Sequence, residues 1–408
     1  MNGPAILLTV LVNAAGADAP AAATPPTFSR DIAPIFQARC QECHRPGEAA
    51  PMALLTYADA RPWARSIRKM VGNGTMPPWH ADPAHGKWSN DPSLTAEESA
   101  KILAWADGGA PEGDPKDMPP PREFVEGWRI GKPDVVFTMP REFKVKANGE
   151  VKYQYISIAT DFAEDRWIQA AEARPGNRKV VHHIIVFAVE PGKRPDLDLD
   201  GKDWMYGHIC GTAPGEGPDV FPPGTGKLIK AGSRLILQVH YTPSGVEETD
   251  RSSVGFVFAK EPPKHRLRVL PVATHRFKIP AGAEAHEVKA LHTFAEDGSI
   301  RAFMPHMHVR GKSFRYELVE PDGARKTILN VPRWDFNWQH NYLPAEPLLV
   351  KKGSRIECTA FFDNSTKNPA NPDATKDVRW GDQTWEEMMI GFVTWIPVEP
   401  DGPRRSKI

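Results

Sequence analysis

The spacing of apolar positions differs between the two ends of the chain. Near the N-terminus, three stretches have helix-like spacing: RDIAPIFQARC, ARPWARSIRKMV and TAEESAKILAWADGG. The last begins at Thr95 and has Glu98 three residues later, which is a capping box at the start of a helix. The pattern therefore predicts a small α-helical unit over residues 24–118. A linker rich in proline and glycine should follow it at residues 119–130.

Beyond Gly131 the apolar positions alternate, as they do in strands with one buried face. The stretches KVVHHIIVFAV, SRLILQVHYT, SFRYELVEPDGARKTILNV and SRIECTAFF follow at intervals typical of β-sandwiches. Asn148-Gly149 predicts a hairpin, and the sequence Pro-Asp-Gly predicts a turn. No glycine-rich phosphate loop occurs, so a nucleotide cofactor is not expected. We expect two all-β, jelly-roll-like sandwich domains at residues 131–262 and 268–400.

Length and charge limit the possible partners. A chain of 408 residues is long enough for two or three domains. Lys+Arg and Asp+Glu both total 51, so nucleic acid is not an expected partner. The N-terminus, MNGPAILLTVLVNAAGADAPAAATPP, has the layout of a secretory signal over residues 1–23, although a basic first segment is missing. We expect a periplasmic or secreted protein with no transmembrane anchor after signal cleavage.

The stretch CQECH, residues 40–44, is the attachment signature of c-type haem. Thiols of Cys40 and Cys43 would bond the vinyl groups, and His44 would ligate the iron. A redox pair or half of a zinc site are the alternatives, but no second C-x-x-C or nearby Cys/His pair completes a zinc site. We therefore expect one covalent haem c.

The second axial ligand should follow within a few tens of residues. Met76, in GNGTMPPWH, precedes two prolines that exclude a helix there, and a thioether opposite histidine suits electron transfer. Met70, which the helix-like stretch explains better as a core residue, and His80 are the alternatives. Together with the helices, this motif predicts an all-α, cytochrome c-like haem domain over residues 24–118.

The stretch FMPHMHVRGKSF places His306 and His308 two residues apart. In a strand, side chains at this spacing point the same way, so both imidazoles would face one spot. A metal ion is the commonest single partner that satisfies both, and a pair of solvated or hydrogen-bonded histidines is the alternative.

Three more histidines occur inside predicted strands. In RLILQVHY the alternation places His240 on the face opposite the leucines, where a hydrogen-bonded structural histidine is the usual interpretation. His182 and His183 are adjacent, so a regular strand would point them to opposite faces. Both can reach one metal only if the strand ends, twists or bulges there.

Four sequence blocks resemble a known family in order and spacing. VVHHIIVF, LQVHYTP, PHMHVRGKSF and EEMMIGF are similar to blocks of the copper type II, ascorbate-dependent monooxygenases, the family of dopamine β-monooxygenase and peptidylglycine hydroxylating monooxygenase. The resemblance covers roughly residues 130–400. It implies two β-sandwich domains with the active site in the cleft between them. It also implies two copper ions, one bound by His182, His183 and His240 and the other by His306, His308 and Met388.

The resemblance also implies an activity. O2 would react at the copper of His306, His308 and Met388, one oxygen atom would enter a C–H bond of a small organic substrate, and the other would leave as water. The copper with three histidines would transfer electrons, and a soft thioether at the other favours Cu(I). Met388 is preferred to Met389 because it follows an acidic pair, as the family's ligand does. Since a haem precedes these domains, we expect haem c to relay electrons from a periplasmic donor to the histidine-only copper.

The sequence departs from the family at several positions. Met304 and Phe392 stand where the peptide-processing members have an arginine and a tyrosine for the substrate, so peptide amidation is not expected. Only Cys210 and Cys358 remain after haem attachment, and they could form a disulfide or stay as buried thiols. Two other functions stay open. One is a secreted haem and copper electron-transfer or copper-binding protein without monooxygenase turnover, and the other is a copper oxidase or reductase.

Overall fold

A computed structural model describes residues 24–48, 50–193, 207–213 and 217–398. The signal predicted at residues 1–23 lies outside them. Strands account for 36% and helices for 12% of the structure, so the chain is mainly β. None of the helices in the described ranges combines the length and apolarity that crossing a membrane requires.

Helices occur only near the N-terminus of the described ranges. They are short: α1 Ala33–Arg39, α2 Tyr57–Ala60, α3 Ala64–Gly72 and α4 Ala96–Asp107. Single turns at Phe28–Ile32, Arg61–Trp63 and Pro115–Asp117 accompany them. The capping box at the start of α4 is confirmed, because the Thr95 hydroxyl accepts from Glu98 N at 3.1 Å and Glu98 Oε2 accepts from Thr95 N at 2.7 Å.

The predicted all-α, cytochrome c-like domain is wrong as a fold class. The structure is mainly strand, and its few short helices pack around one small apolar core without forming the predicted all-α domain. Residues 73–94 contain no helix, and residues 79–90 lie on the C-terminal sheets, where the Trp79 ring is 4.8 Å from that of Tyr342. Helical spacing reports local structure only, whereas the aromatic side chains of this segment are buried by a distant part of the chain.

The first group of strands forms two facing sheets. One sheet has the order β1-β11-β4-β8-β12 with β7 beside β4, and the other has the order β3-β9-β5-β6. A separate pair joins β2 and β10. The strands are β1 Val135–Thr138, β2 Phe143–Val145, β3 Gln154–Ala159, β4 Arg166–Arg174, β5 Val181–Val189, β6 His208–Thr212, β7 Asp219–Val220, β8 Thr225–Ile229, β9 Arg234–Tyr241, β10 Glu248–Asp250, β11 Ser253–Phe258 and β12 His265–Arg266.

The second group of strands repeats this arrangement. Its sheets have the orders β13-β22-β16-β19 and β15-β20-β17-β18, and β14 pairs with β21. The strands are β13 Arg268–Ala273, β14 Lys278–Ile279, β15 His286–Thr293, β16 Gly298–His306, β17 Gly311–Val319, β18 Arg325–Val331, β19 Leu348–Val350, β20 Arg355–Phe362, β21 Val378–Arg379 and β22 Ile390–Pro397.

The two predicted turns differ in outcome. Pro321-Asp322-Gly323 joins the antiparallel strands β17 and β18, so this turn is confirmed. Asn148-Gly149 does not form a hairpin, because β2 pairs with β10 whereas β3 pairs with β9 in another sheet. The turn residues allow the chain to reverse there, but the sheet that each strand joins is decided by its packing.

A large apolar core fills each sandwich, a third core lies among the helices, and two small apolar clusters lie on the sheets outside these cores. One, around Phe187 and Ile236, lies on the second face of the β5/β9 sheet, and the other, around Met388 and Phe392, on the second face of the β16/β22 sheet. The rings of His208 and Phe392 are 6.3 Å apart, so the two faces meet. The histidines of the predicted copper sites lie at this junction.

Candidate metal centre

The sheet register brings together three histidines of the first sandwich. His183 in β5 lies directly opposite His240 in β9, so their side chains share a face. The register shifts between Val181 and His183, which makes His182 the extra residue of a bulge. This bulge turns His182 toward the same point as its neighbour, which a regular strand would not do.

The three imidazoles form a compact triangle. Their ring centroids are 5.0 to 5.3 Å apart, and one nitrogen from each lies within 4.8 Å of the others. The Nδ1 atoms of His182 and His183 are 3.1 Å apart. Among the described residues this is the one cluster of three or more His, Cys, Asp or Glu side chains with metal-binding spacing.

Three nitrogens of this triangle lack a hydrogen-bond partner in the described structure. Nε2 of His182, Nε2 of His183 and Nδ1 of His240 are buried without a hydrogen-bond partner. Burial lowers the pKa of all three imidazoles, that of His240 to about 3, so they are neutral near pH 7 and keep a free lone pair. Buried, neutral and unpaired imidazoles fit a metal ion, since binding would satisfy atoms that burial otherwise leaves without partners.

His306 and His308 form a second pair at the end of β16. Their ring centroids are 5.4 Å apart. His306 Nδ1 lies 2.6 Å from Gln339 Oε1, and His308 Nδ1 lies 3.2 Å from the Glu386 carbonyl. Because both acceptors require an N–H at Nδ1, the lone pair of each neutral imidazole is at Nε2. Burial lowers the pKa of both rings, that of His306 to about 4.

A buried carboxylate fixes the chain at this pair. Glu387 accepts from His308 N at 2.8 Å and from Arg310 N at 2.7 Å. Burial raises the pKa of Glu387 to about 8, and these hydrogen bonds oppose that shift. The contacts hold the backbone after β16 next to the residues that precede β22, which include Met388.

The two candidate methionines point to opposite sides of β22. Met388 is buried in the small cluster with Ile390 and Phe392, on the side of the histidines, and Ile390 pairs directly with His306. Met389 is completely buried in the core of the second sandwich. Only Met388 therefore lies on the face that carries His306.

The two histidine groups are neighbours, separated by two aromatic rings. The Tyr153 ring is 4.8 Å from His240 and 6.2 Å from His308. The Phe336 ring stacks on His182 at 5.4 Å and an interplanar angle of 8°, and it is 6.4 Å from His308. Residues from both sandwiches therefore form one site at the junction of the sheets.

The C-x-x-C-H motif forms a turn after α1. His44 N donates to the Cys40 carbonyl at 2.9 Å, both thiols are free, and His44 Nδ1 lies 3.2 Å from the Met52 carbonyl. Burial lowers the pKa of His44 and raises that of Cys40 to about 12. A histidine that donates through Nδ1 keeps Nε2 for a metal, so this ring fits an iron ligand.

The remaining candidate ligand positions follow α3. Met76 is half-buried, and its backbone N–H donates to the Met70 carbonyl at 3.0 Å. Met70 is 37% exposed, so the prediction that it is a core residue is wrong. His80 is half-buried, and burial lowers its pKa.

Sequence reasoning missed the residues that surround the histidines. Gln339, Phe336, Tyr153 and Glu387 carry no motif of their own, and Gln339 is 33 positions from the histidine that it contacts. Only the carboxylate had a signal, since it belongs to the acidic pair before Met388.

Cys210 and Cys358 are buried in different cores as free thiols. They do not form the disulfide that the sequence left open.

Comparisons with known proteins do not identify the chain. No family model matches it, and no curated protein matches it. Among solved structures, it is similar to the VP2 subviral particle of infectious bursal disease virus, with 8% identity over 66% of this chain and 82% of that chain and a TM-score of 0.18. It is also similar to allantoicase, with 12% identity over 54% of this chain and 79% of that chain and a TM-score of 0.17. Scores this low carry no argument about fold or function.

Proposed function

We propose that the protein is a dicopper monooxygenase that hydroxylates a C–H bond of a small organic substrate with O2. The observation that carries the proposal is the meeting of five neutral imidazoles at one junction, four of them buried and that of His182 half-buried, several with unpaired nitrogens. Copper is the proposed metal because imidazole binds both of its oxidation states and the thioether of Met388 favours Cu(I). Two copper ions would supply the activation of O2 and two of the electrons that hydroxylation consumes.

The protein's own residues would orient these ligands and protect the site. Gln339 and the Glu386 carbonyl hold the Nδ1–H groups of His306 and His308, which leaves both Nε2 atoms for the metal. Tyr153 and Phe336 fill the space between the histidine groups and exclude water from it. Excluding water suits a reaction in which the reduced oxygen must reach the substrate before that oxygen is lost to side reactions.

The substrate side of the junction is apolar. Phe392 lies 6.3 Å from the His306 ring and packs with Met304 and Ile390. No charged group takes the place of the arginine and tyrosine that peptide-processing relatives of the resembled family have there. We therefore propose a small substrate whose reacting end is uncharged and largely apolar.

The proposal includes one covalent haem c as electron relay. Cys40 and Cys43 would form the thioether bonds, His44 would bind the iron through Nε2, and Met76 would be the second axial ligand. A periplasmic protein would donate the electrons. The signal predicted at residues 1–23 supports a periplasmic or secreted location.

Metal analysis followed by isotope labelling tests this function. Protein from periplasmic expression should contain one haem by the pyridine haemochrome assay and two copper ions by elemental analysis. In a substrate screen under ¹⁸O2 with a reductant, one labelled oxygen atom should enter the organic product. Zinc, or a single copper, would contradict the two-site proposal. Copper loading without O2 consumption under any reductant would support an electron-transfer or copper-binding protein instead.

A further inference from the structure

One loop contacts both the Met76 segment and the copper-binding histidines. We call residues 334–342, between β18 and β19, the bridging loop. On its outer side lies the segment of residues 76–90, which connects α3 to α4. On its inner side lie His182 and His306, one from each histidine group.

The outer contacts of the bridging loop are numerous. The Trp79 ring lies 5.8 Å from His340 and 4.8 Å from Tyr342. Burial lowers the pKa of His340 to about 4, and the nearby Pro78 carbonyl opposes that shift. Pro78 is two residues from Met76. His340 therefore lies against the segment that holds the proposed haem ligand.

The inner contact is a short hydrogen bond. Gln339 Oε1 lies 2.6 Å from His306 Nδ1, and both groups are buried. Gln339 Nε2 donates to the Phe336 carbonyl at 3.1 Å, which fixes the orientation of the amide. With the amide oxygen facing the ring, His306 Nδ1 must carry the proton. Gln339 and His340 are consecutive, so the outer contact and the inner hydrogen bond are joined by covalent bonds alone.

We propose that electrons pass from the haem to the copper of His306 through Pro78, His340 and Gln339. This inference rests on the proposed function. In each transfer the haem iron goes from ferrous to ferric and one copper goes from cupric to cuprous. No protein bond is formed or broken, and none of the three residues is itself oxidised. Electrons thus enter at the copper of His306 and not at the histidine-only copper that the sequence favoured.

The competing route would cross from the bridging loop to His182. Phe336 stacks on His182, but this contact is through space, with 5.4 Å between the ring centroids. Electron tunnelling weakens faster across a van der Waals gap than along covalent and hydrogen bonds. The route through Gln339 is therefore the more strongly coupled of the two.

Three variants of the bridging loop separate these routes. In protein loaded with haem and two cupric ions, the haem is reduced by a flash with a ruthenium photosensitiser, without O2. Haem reoxidation is followed by absorbance, and loss of Cu(II) by EPR. Q339L, which removes the acceptor at His306, should slow the reoxidation at least tenfold. Q339E, which keeps an acceptor, should restore most of the rate, and F336L, which removes the stacked ring, should stay within twofold of the wild type.

The outcomes distinguish the inference from the function on which it rests. The rates are compared only after each variant has been reconstituted to the haem and copper contents of the wild type and its haem midpoint potential has been measured, so that a slower rate reports coupling and not lost metal. A slow F336L together with an unchanged Q339L would overturn the route and favour entry at His182. Equal rates in all variants would overturn it as well. A wild-type protein without haem or copper would instead contradict the proposed function.

Discussion

Gly391 shows how closely a single residue of β22 is constrained. A Cβ at this position would lie 2.5 Å from Cys358 Sγ and 2.9 Å from Tyr316 Cε1, in the core of the second sandwich. Its neighbours Ile390 and Phe392 face the histidines, so a shift of the strand here would move both the core and the candidate site.

Gly391→Ala should therefore destabilise the protein by about 1–3 kcal/mol, the usual cost of overpacking a core. Urea unfolding followed by tryptophan fluorescence measures the change. Gly72→Ala is the matched control, because its nearest neighbour would be 3.5 Å from the new Cβ, and it should have little effect. The double variant with Cys358→Ala removes the nearest atom and should regain part of the loss. If Gly391→Ala were as stable as the wild type, β22 would have room for a Cβ at this position.

Among the elements of the fold, residues 79–90 form neither a helix nor a strand, yet they are held against the second sandwich. Asp82 N donates to the Asn330 carbonyl and Ser89 N to the Leu343 carbonyl, both at 2.8 Å. The Trp88 ring lies 5.6 Å from Tyr342 and 6.2 Å from Phe303. Backbone hydrogen bonds and the indoles of Trp79 and Trp88 thus hold the segment in place.

Trp88→Ala should loosen this segment without unfolding the sandwich, because it removes the largest apolar contact between them. Hydrogen exchange measured by NMR or mass spectrometry should show the amides of Asp82 and Ser89 exchanging about tenfold faster or more. Amides of β5 should be unaffected. Leu349→Ala, at an exposed position of β19, is the control and should leave both regions unchanged. Unaltered protection of the segment in the Trp88 variant would mean that its backbone hydrogen bonds suffice.

At the scale of the whole molecule, each sandwich contributes one histidine group. A variant of one group should therefore fail at a different step of the reaction from a variant of the other. Met388→Ala should slow O2 consumption in a single turnover of pre-reduced protein by at least about tenfold, since even residues one step removed from a metal have effects of this size. In the Cys40→Ala background, where no haem can supply an electron, His240→Ala should still react with O2 at the other site but stall for want of the second electron. Rapid-quench product analysis separates the two. Full O2 reactivity and copper affinity in Met388→Ala would make Met388 a core residue only.

The cysteines give a second test across the molecule. Cys210 and Cys358 are completely buried, one in each sandwich core, so haem-loaded native protein should not react with a thiol reagent such as DTNB. After denaturation in guanidinium, two of the four cysteines should react if Cys40 and Cys43 are bonded to haem. Four reactive thiols in the denatured protein would show that haem is not covalently attached.

How much of the candidate site could be predicted depended on how local each feature is. Strand alternation placed His240 opposite the leucines and placed His306 and His308 on one side. The spacing of His182 and His183 showed only that a bulge was needed, and the pairing with β9 shows where it is. Gln339 could not be predicted from the sequence, because its contact with His306 joins two segments that no periodic pattern of residues connects.

The sequence by itself determined the chemistry available to this protein: a C-x-x-C-H motif, five histidines at strand spacing, and a methionine after an acidic pair. It also determined the capping box at Thr95 and the Pro-Asp-Gly turn, because these depend on residues within one turn of each other. Only the tertiary structure decided which sheet β2 and β3 joined, that residues 79–90 lie on the second sandwich, and that the two histidine groups meet. These outcomes depend on the burial of apolar surface between distant segments, and local spacing carries no record of which surfaces will pair.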